Sequence, residues 1–133
     1  MLKVTYCMRR LPELSREEFQ TYYRKNHPRV LDDQEGSQLA IRRYVQLHAL
    51  PEEDCEAMDM GRGGETSFDA VAEIWLDDHD SLVDHWYSET GRTLLQKLMA
   101  DEQKFVDWSR SVMFCSREMV LIDGPTTPAR KRD

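Results

Sequence analysis

"FDAVAEIWL" (residues 68–76) alternates along its whole length: Phe68, Ala70, Ala72, Ile74 and Leu76 fall on one side, Asp69, Val71, Glu73 and Trp75 on the other. A period of two is that of a strand, and the two alanines leave room for a helix to pack close against their side. The stretch therefore reads as a sheet strand with a helix over one face, leaving the second face for solvent, a ligand or another chain.

Upstream, "LAIRRYVQLHAL" (39–50) alternates as well, with Ile41, Val45 and Leu47 opposite Arg42, Tyr44, Gln46 and His48. Its polar set is expected on the uncovered face, with that of residues 68–76. The segment between them, 51–67, loses all period in "EEDCE" and "GRGG" and reads as a mobile loop. "LKVTYCM" (2–8) supplies a first strand and "SVMFCSREMVLI" (111–122) a last one. Ser15 opens a helix, because "SREEF" places Glu18 where a capping box needs it. Phe19, Tyr22, Tyr23 and Asn26 then recur at helical spacing, so an aromatic face should lie on the sheet. The residue before a proline is pushed out of the helical region, so the helix bends or ends near His27–Pro28. After "DDHD" (77–80) a second helical stretch runs through Leu82, Val83 and Trp86, breaks, and resumes in "TLLQKLM", with a short turn at Phe105 and Trp108. The order βαββαβ predicts an α+β, ferredoxin-like domain over 1–122: a four-stranded antiparallel sheet with helices on one face. Residues 123–133, "DGPTTPARKRD", read as a flexible basic tail.

The chain has 133 residues, 40% hydrophobic and 32% charged, which suits one domain with a modest core. A net charge of −7 without a basic stripe argues against nucleic acid. No run nears the ~18 apolar residues of a membrane span, and no secretory signal pattern opens the chain, so a cytoplasmic protein is expected. Cys7, Cys55 and Cys115 are odd in number and widely spaced, and are expected as reduced thiols, two of them in strands. His79 and His85 lie six apart, on different helix faces, and acids at a helix start serve as caps, so no metal is expected. "GRGG" follows no strand and opens no helix, which leaves no phosphate loop and no cofactor expected.

Four separated motifs resemble the EthD family: Ser-x-x-Glu-Phe-x-x-Tyr with His-Pro, Tyr-x-Gln-x-His, the "FDAVAEIW" strand, and a late "ADEQKFVD". The resemblance runs over residues 2–122, except most of the 51–67 loop, which is longer and more acidic here. Tyr22–Tyr23 stands where the family usually has Tyr-Trp. What the resemblance implies is a dimeric α+β barrel: a homodimer through the sheet face, each half enclosing a cavity for a small apolar or aromatic ligand. The members it points to range from an accessory protein of an ether-degrading monooxygenase system to decarboxylases and dehydratases that tailor polyketides.

Within that frame His27, His48 and Glu73 are the candidate catalytic residues, and Tyr22, Tyr23, Tyr44, Gln46, Asp69 and Trp75 the candidate substrate-binding ones. His27 has two readings, a helix-terminal histidine against the last carbonyls or a group at a cavity mouth. His48 shares a strand face with Tyr44 and Gln46. Glu73 beside Trp75 suits a carboxylate working near neutral pH, or one that is simply salt-bridged. The expected function is cofactor-free acid/base chemistry on a small carbonyl compound, of lyase, decarboxylase, dehydratase, cyclase or isomerase type. A non-catalytic accessory or binding protein is the alternative, and a cofactor-independent or haem-dependent oxygenase the third reading.

Overall fold

The computed structural model describes residues 1–124, apart from the side chain of Glu56; the basic tail expected from residue 123 lies almost wholly outside the described residues. The elements are β1 (Leu2–Met8), α1 (Arg16–Lys25), α2 (Asp33–Ser37), β2 (Arg43–His48), β3 (Ala70–Leu76), α3 (His79–Ser81), α4 (Glu89–Glu102) and β4 (Val112–Arg117). They form one four-stranded sheet in the order β2-β3-β1-β4, every neighbouring pair antiparallel. This is the ferredoxin-like α+β arrangement.

Local chemistry sets the helix ends. The Glu18 N–H donates to Ser15 Oγ at 3.0 Å, and the Ser15 N–H donates to the Glu18 carboxylate at 2.9 Å, which completes the capping box of α1. The helix stops at Asn26, whose N–H donates to the Tyr22 carbonyl, and a single turn follows at His27–Arg29. Helix α2, which the sequence reading passed over, uses the same device: Asp32 caps it and Glu35 bonds back to the Asp32 N–H at 3.0 Å. Asp78 caps α3, which opens into a wide turn over Leu82–Trp86 before Ser88 restarts the chain as α4.

Three outlines differ from the expected ones. β2 starts at Arg43 rather than 39, because Leu39 is buried, its carbonyl accepts from the Trp86 indole at 2.8 Å, and Ala40 turns the chain at φ 52°. β4 stops at Arg117 rather than 122, because Arg117 is paired with Leu2 and β1 extends no further. The third difference is one of phase. Tyr44, Gln46 and His48 stand opposite Ile74, Ala72 and Ala70, on the helix-covered face, while Val45 and Leu47 stand on the open face with Glu73 and Val71. The polar set of β2 thus faces inward, contrary to its expected outward position. β2 is an edge strand, and its inward side chains meet the polar end of a helix tyrosine rather than an apolar core.

Two packed groups fill the space between sheet and helices. Phe19 and Tyr23 of α1 lie with Phe105 against Met8 and the small Ala70 and Ala72, while Leu82, Trp86 and Leu94 lie against Val4 and Leu76. Each large side chain closed off in this way contributes about 1.5–3 kcal/mol. A Cβ on Gly91 would sit 1.8 Å from the His85 carbonyl oxygen, so the first turn of α4 reaches its place only through glycine. Helix propensity alone would make Gly91→Ala stabilising by about 1 kcal/mol. The expected outcome is the opposite sign, a loss of at least about 1–3 kcal/mol in urea unfolding, the usual cost of overpacking.

Candidate functional site

Helix α1 presents Tyr23 to β2, and the side chains around it form one chain of hydrogen bonds. The Tyr23 and Tyr44 hydroxyls are 2.6 Å apart. Gln46 Nε2 donates to the Tyr44 hydroxyl and to the Tyr23 carbonyl, both at 3.2 Å. Gln46 Oε1 accepts from His48 Nε2 at 2.8 Å, since an amide oxygen cannot donate and the imidazole nitrogen must therefore carry the hydrogen. That leaves His48 Nδ1 as a lone-pair acceptor, closed off from water and without a partner among the described residues. Burial and the nearby charge of Arg24 lower the His48 pKa, so the ring stays neutral at neutral pH. Burial, with the adjacent Tyr44, pushes the Tyr23 hydroxyl far up, so it remains a donor.

His27 lies on another side of Tyr23, 5.9 Å between ring centroids, with its edge toward Phe105 at 5.2 Å. Asn26, not His27, caps α1. The His27 ring instead reaches across to the end of α4, where Nδ1 is 2.8 Å from Asp101 Oδ2. The Tyr22 hydroxyl donates to the other oxygen of Asp101 at 2.6 Å. Burial works against the Asp101 charge, but the Tyr22 and His27 hydrogen bonds outweigh it and hold its pKa below the usual carboxylate range. Asp101 is therefore an acceptor only, and His27 Nδ1 carries the hydrogen of that bond. Tyr22 is pushed up to about 12, chiefly by its bond to Asp101, and keeps its proton.

The other candidates stand elsewhere. Glu73 and Trp75 are on the open face of the sheet, away from the histidines, so the expected common cavity of His27, His48 and Glu73 does not form within one chain. Glu73 pairs with Lys3 of β1. Lys3 and Arg43 both lie over the Trp75 ring, at 4.7 and 4.8 Å, and the Trp75 indole donates to Glu118 at 2.7 Å. Asp69 is enclosed at the start of β3, its side chain 4% exposed, where it pairs with Arg10 and Arg16 at 2.6 and 2.9 Å. Its carboxylate is thus taken up by two arginines rather than left for a substrate.

Sequence reasoning missed the acids of α4. Asp101 and Glu102 sit inside the quoted "ADEQKFVD", so their position was marked and their part was not. Glu102 accepts from the Tyr6 hydroxyl at 2.7 Å and from the Trp108 indole at 3.2 Å, and ties β1 to the end of α4. Among the described residues no three His, Cys, Asp or Glu side chains converge as metal ligands, and no helix is long and apolar enough to cross a membrane.

The EthD domain model matches residues 11–109. Among solved structures, the chain is similar to an EthD family protein from Bacillus halodurans C-125, with a TM-score of 0.58 at 19% identity over 90% of this chain and 99% of that one. An EthD-like protein from Ralstonia eutropha JMP134 gives a TM-score of 0.54 at 17% identity, over 92% and 96% of the two chains. A protein from Bacteroides fragilis NCTC 9343, described as dimeric and of ferredoxin-like fold, gives 0.54 at 8% identity over 88% and 95%. At these identities the likeness shows the fold alone. No curated protein matches the chain significantly.

His48 yields a prediction with a definite sign. Its folded pKa is below the unfolded value of about 6.5, so the unfolded chain binds more protons in the interval between them. The stability from a neutral His48 is complete above that value and is lost as the pH falls beneath it. Chemical unfolding from pH 7 to 5 should show this decline in the parent and a flatter profile in His48→Gln. The carboxylates with lowered pKa titrate below this window and do not mask it.

Proposed function

The chain belongs to the EthD family, and from that premise we propose that it is a cofactor-free acid/base enzyme acting on a small aromatic or polyketide-like carbonyl compound. The observation that carries the reading is the His27–Asp101 pair. A buried, ionised carboxylate fixes the tautomer of the imidazole and stabilises the imidazolium that forms when Nε2 takes a proton. Proton removal next to a carbonyl needs such a base and a positive or donor group for the developing oxyanion. Lys104, whose ammonium lies 3.6 Å from Asp101 and is largely exposed, is a cation beside the pair. Phe105 and Tyr23, both buried, pack against the His27 ring and hold it in place. His48 is oriented through Gln46 with its one lone pair buried, while Glu73 and Trp75 take no part within one chain.

A homodimer through the open sheet face accompanies this reading. Leu47, Val112 and Phe114 are 44%, 50% and 48% exposed, and Val45 and Val71 adjoin them, so the face offers an apolar area with the Lys3–Glu73 pair inside it. Sedimentation of the parent should give a dimer at micromolar concentration, and Phe114→Glu should shift it toward monomer. A monomeric parent would remove the dimer from the proposal.

The catalytic reading is tested by deuterium exchange. A panel of aryl and cyclic ketones in D2O, followed by NMR, should lose protons next to the carbonyl faster with the protein present. His27→Asn should slow that exchange at least tenfold, about 1.4 kcal/mol, with cooperative unfolding retained. Asp101→Asn should slow it too, since a neutral amide no longer stabilises the imidazolium. No exchange across the panel, or equal exchange by His27→Asn, would favour an accessory or binding protein without turnover.

A further inference from the structure

We propose that a cleft at the end of the sheet, walled by Arg9, Arg10, Arg16 and Arg110, binds a small monocarboxylate with an apolar body. The cleft encloses about 510 Å³ where β1 ends and β3 begins. A second hollow of about 520 Å³ shares Arg9, Thr66 and Arg110 with it and adds Phe68 and Val112. The two hollows adjoin at Arg9, Thr66 and Arg110, and Glu65, Ser109 and Ser111 stand beside Phe68 in the second.

Three of the four arginines are held in place before any ligand arrives. Asp69 fixes Arg10 and Arg16. Arg10 Nε also donates to the Leu14 carbonyl at 2.9 Å, and Arg16 Nη1 to the Leu50 carbonyl at 3.1 Å. Arg9 lies over the Phe68 ring at 4.2 Å and donates to the Thr66 and Ser67 carbonyls. Carbonyls orient a guanidinium without cancelling its charge, so one buried carboxylate answers two arginines. Arg9 has only the wide 3.8 Å contact with the exposed Glu65, and the Arg110 guanidinium has no partner among the described residues. The four arginines are matched in number by Asp69, Glu52, Glu53 and Glu65, but only Asp69 pairs closely, so the unanswered positive charge lies at Arg9 and Arg110. A carboxylate meets guanidinium geometry well. Glu52 and Glu53 also line the cleft and repel negative charge, which favours one acid group over a phosphate dianion. Phe68 then receives the apolar remainder.

The groove shares no residue with the His27–Asp101 pair, and the proposal stands apart from the catalytic reading. Calorimetric titration at fixed pH and ionic strength with benzoate, benzamide and inorganic phosphate tests it on the whole chain. Benzoate should bind, and the uncharged isostere benzamide should bind at least tenfold more weakly. Arg110→Gln changes an exposed side chain, so unfolding should be unaltered while benzoate affinity falls at least tenfold. Absence of benzoate binding, equal binding of benzamide, tighter binding of phosphate, or benzoate affinity unchanged in Arg110→Gln would each overturn the proposal.

Discussion

The Asp69 carboxylate accepts the Arg10 backbone N–H at 2.8 Å and the side chains of Arg10 and Arg16. It therefore ties the exit of β1, the first turn of α1 and the start of β3 to one point. A carboxylate closed off from water is tolerated only while those partners stay, so α1 cannot swing away without leaving a bare charge behind. Gln20 adds a second tie, donating to the Ala49 and Asp69 carbonyls at 2.9 Å, which binds the same helix to the ends of β2 and β3. With its start pinned, α1 has to lay Phe19 and Tyr23 over Ala70 and Ala72, and its far end has to bring His27 to Asp101.

The two faces of the sheet take different parts as a result. Beneath α1 and α4 the space is packed, and its polar groups, apart from His48 Nδ1, are paired through Tyr23, Tyr44, Gln46 and His48 or through Asp101 and Glu102. A site here is one of fixed donors and acceptors at the seam between helix and sheet. The open face instead joins an apolar area to a charged centre, where Lys3, Glu73 and Arg43 surround Trp75. Glu118, bonded to the Trp75 indole, leads into Met119–Ile122, four apolar residues that remain exposed in the single chain. Both features suit a face that meets another protein surface.

Much of this was legible in the sequence because it rests on short-range chemistry. The capping box at Ser15, the stop near His27–Pro28, the alternation of residues 68–76 and the order of elements all depend on residues a few places apart, and the ferredoxin-like fold follows from them; the EthD family was legible only as a resemblance in four short motifs. Even α2, which went unread, had its Asp-x-x-Glu signal in plain view. What the sequence alone could not decide was the side to which each strand presents its polar set. β2 alternates cleanly, but alternation names two faces without saying which is covered; pairing with β3 decided that, and turned Tyr44, Gln46 and His48 inward. The partners of His27, Glu73 and Asp69 were likewise hidden, because Asp101, Lys3 and the two arginines lie far from them along the chain. Local sequence determined the elements and their order, whereas strand register and helix placement, which act between distant segments, decided which side chains meet.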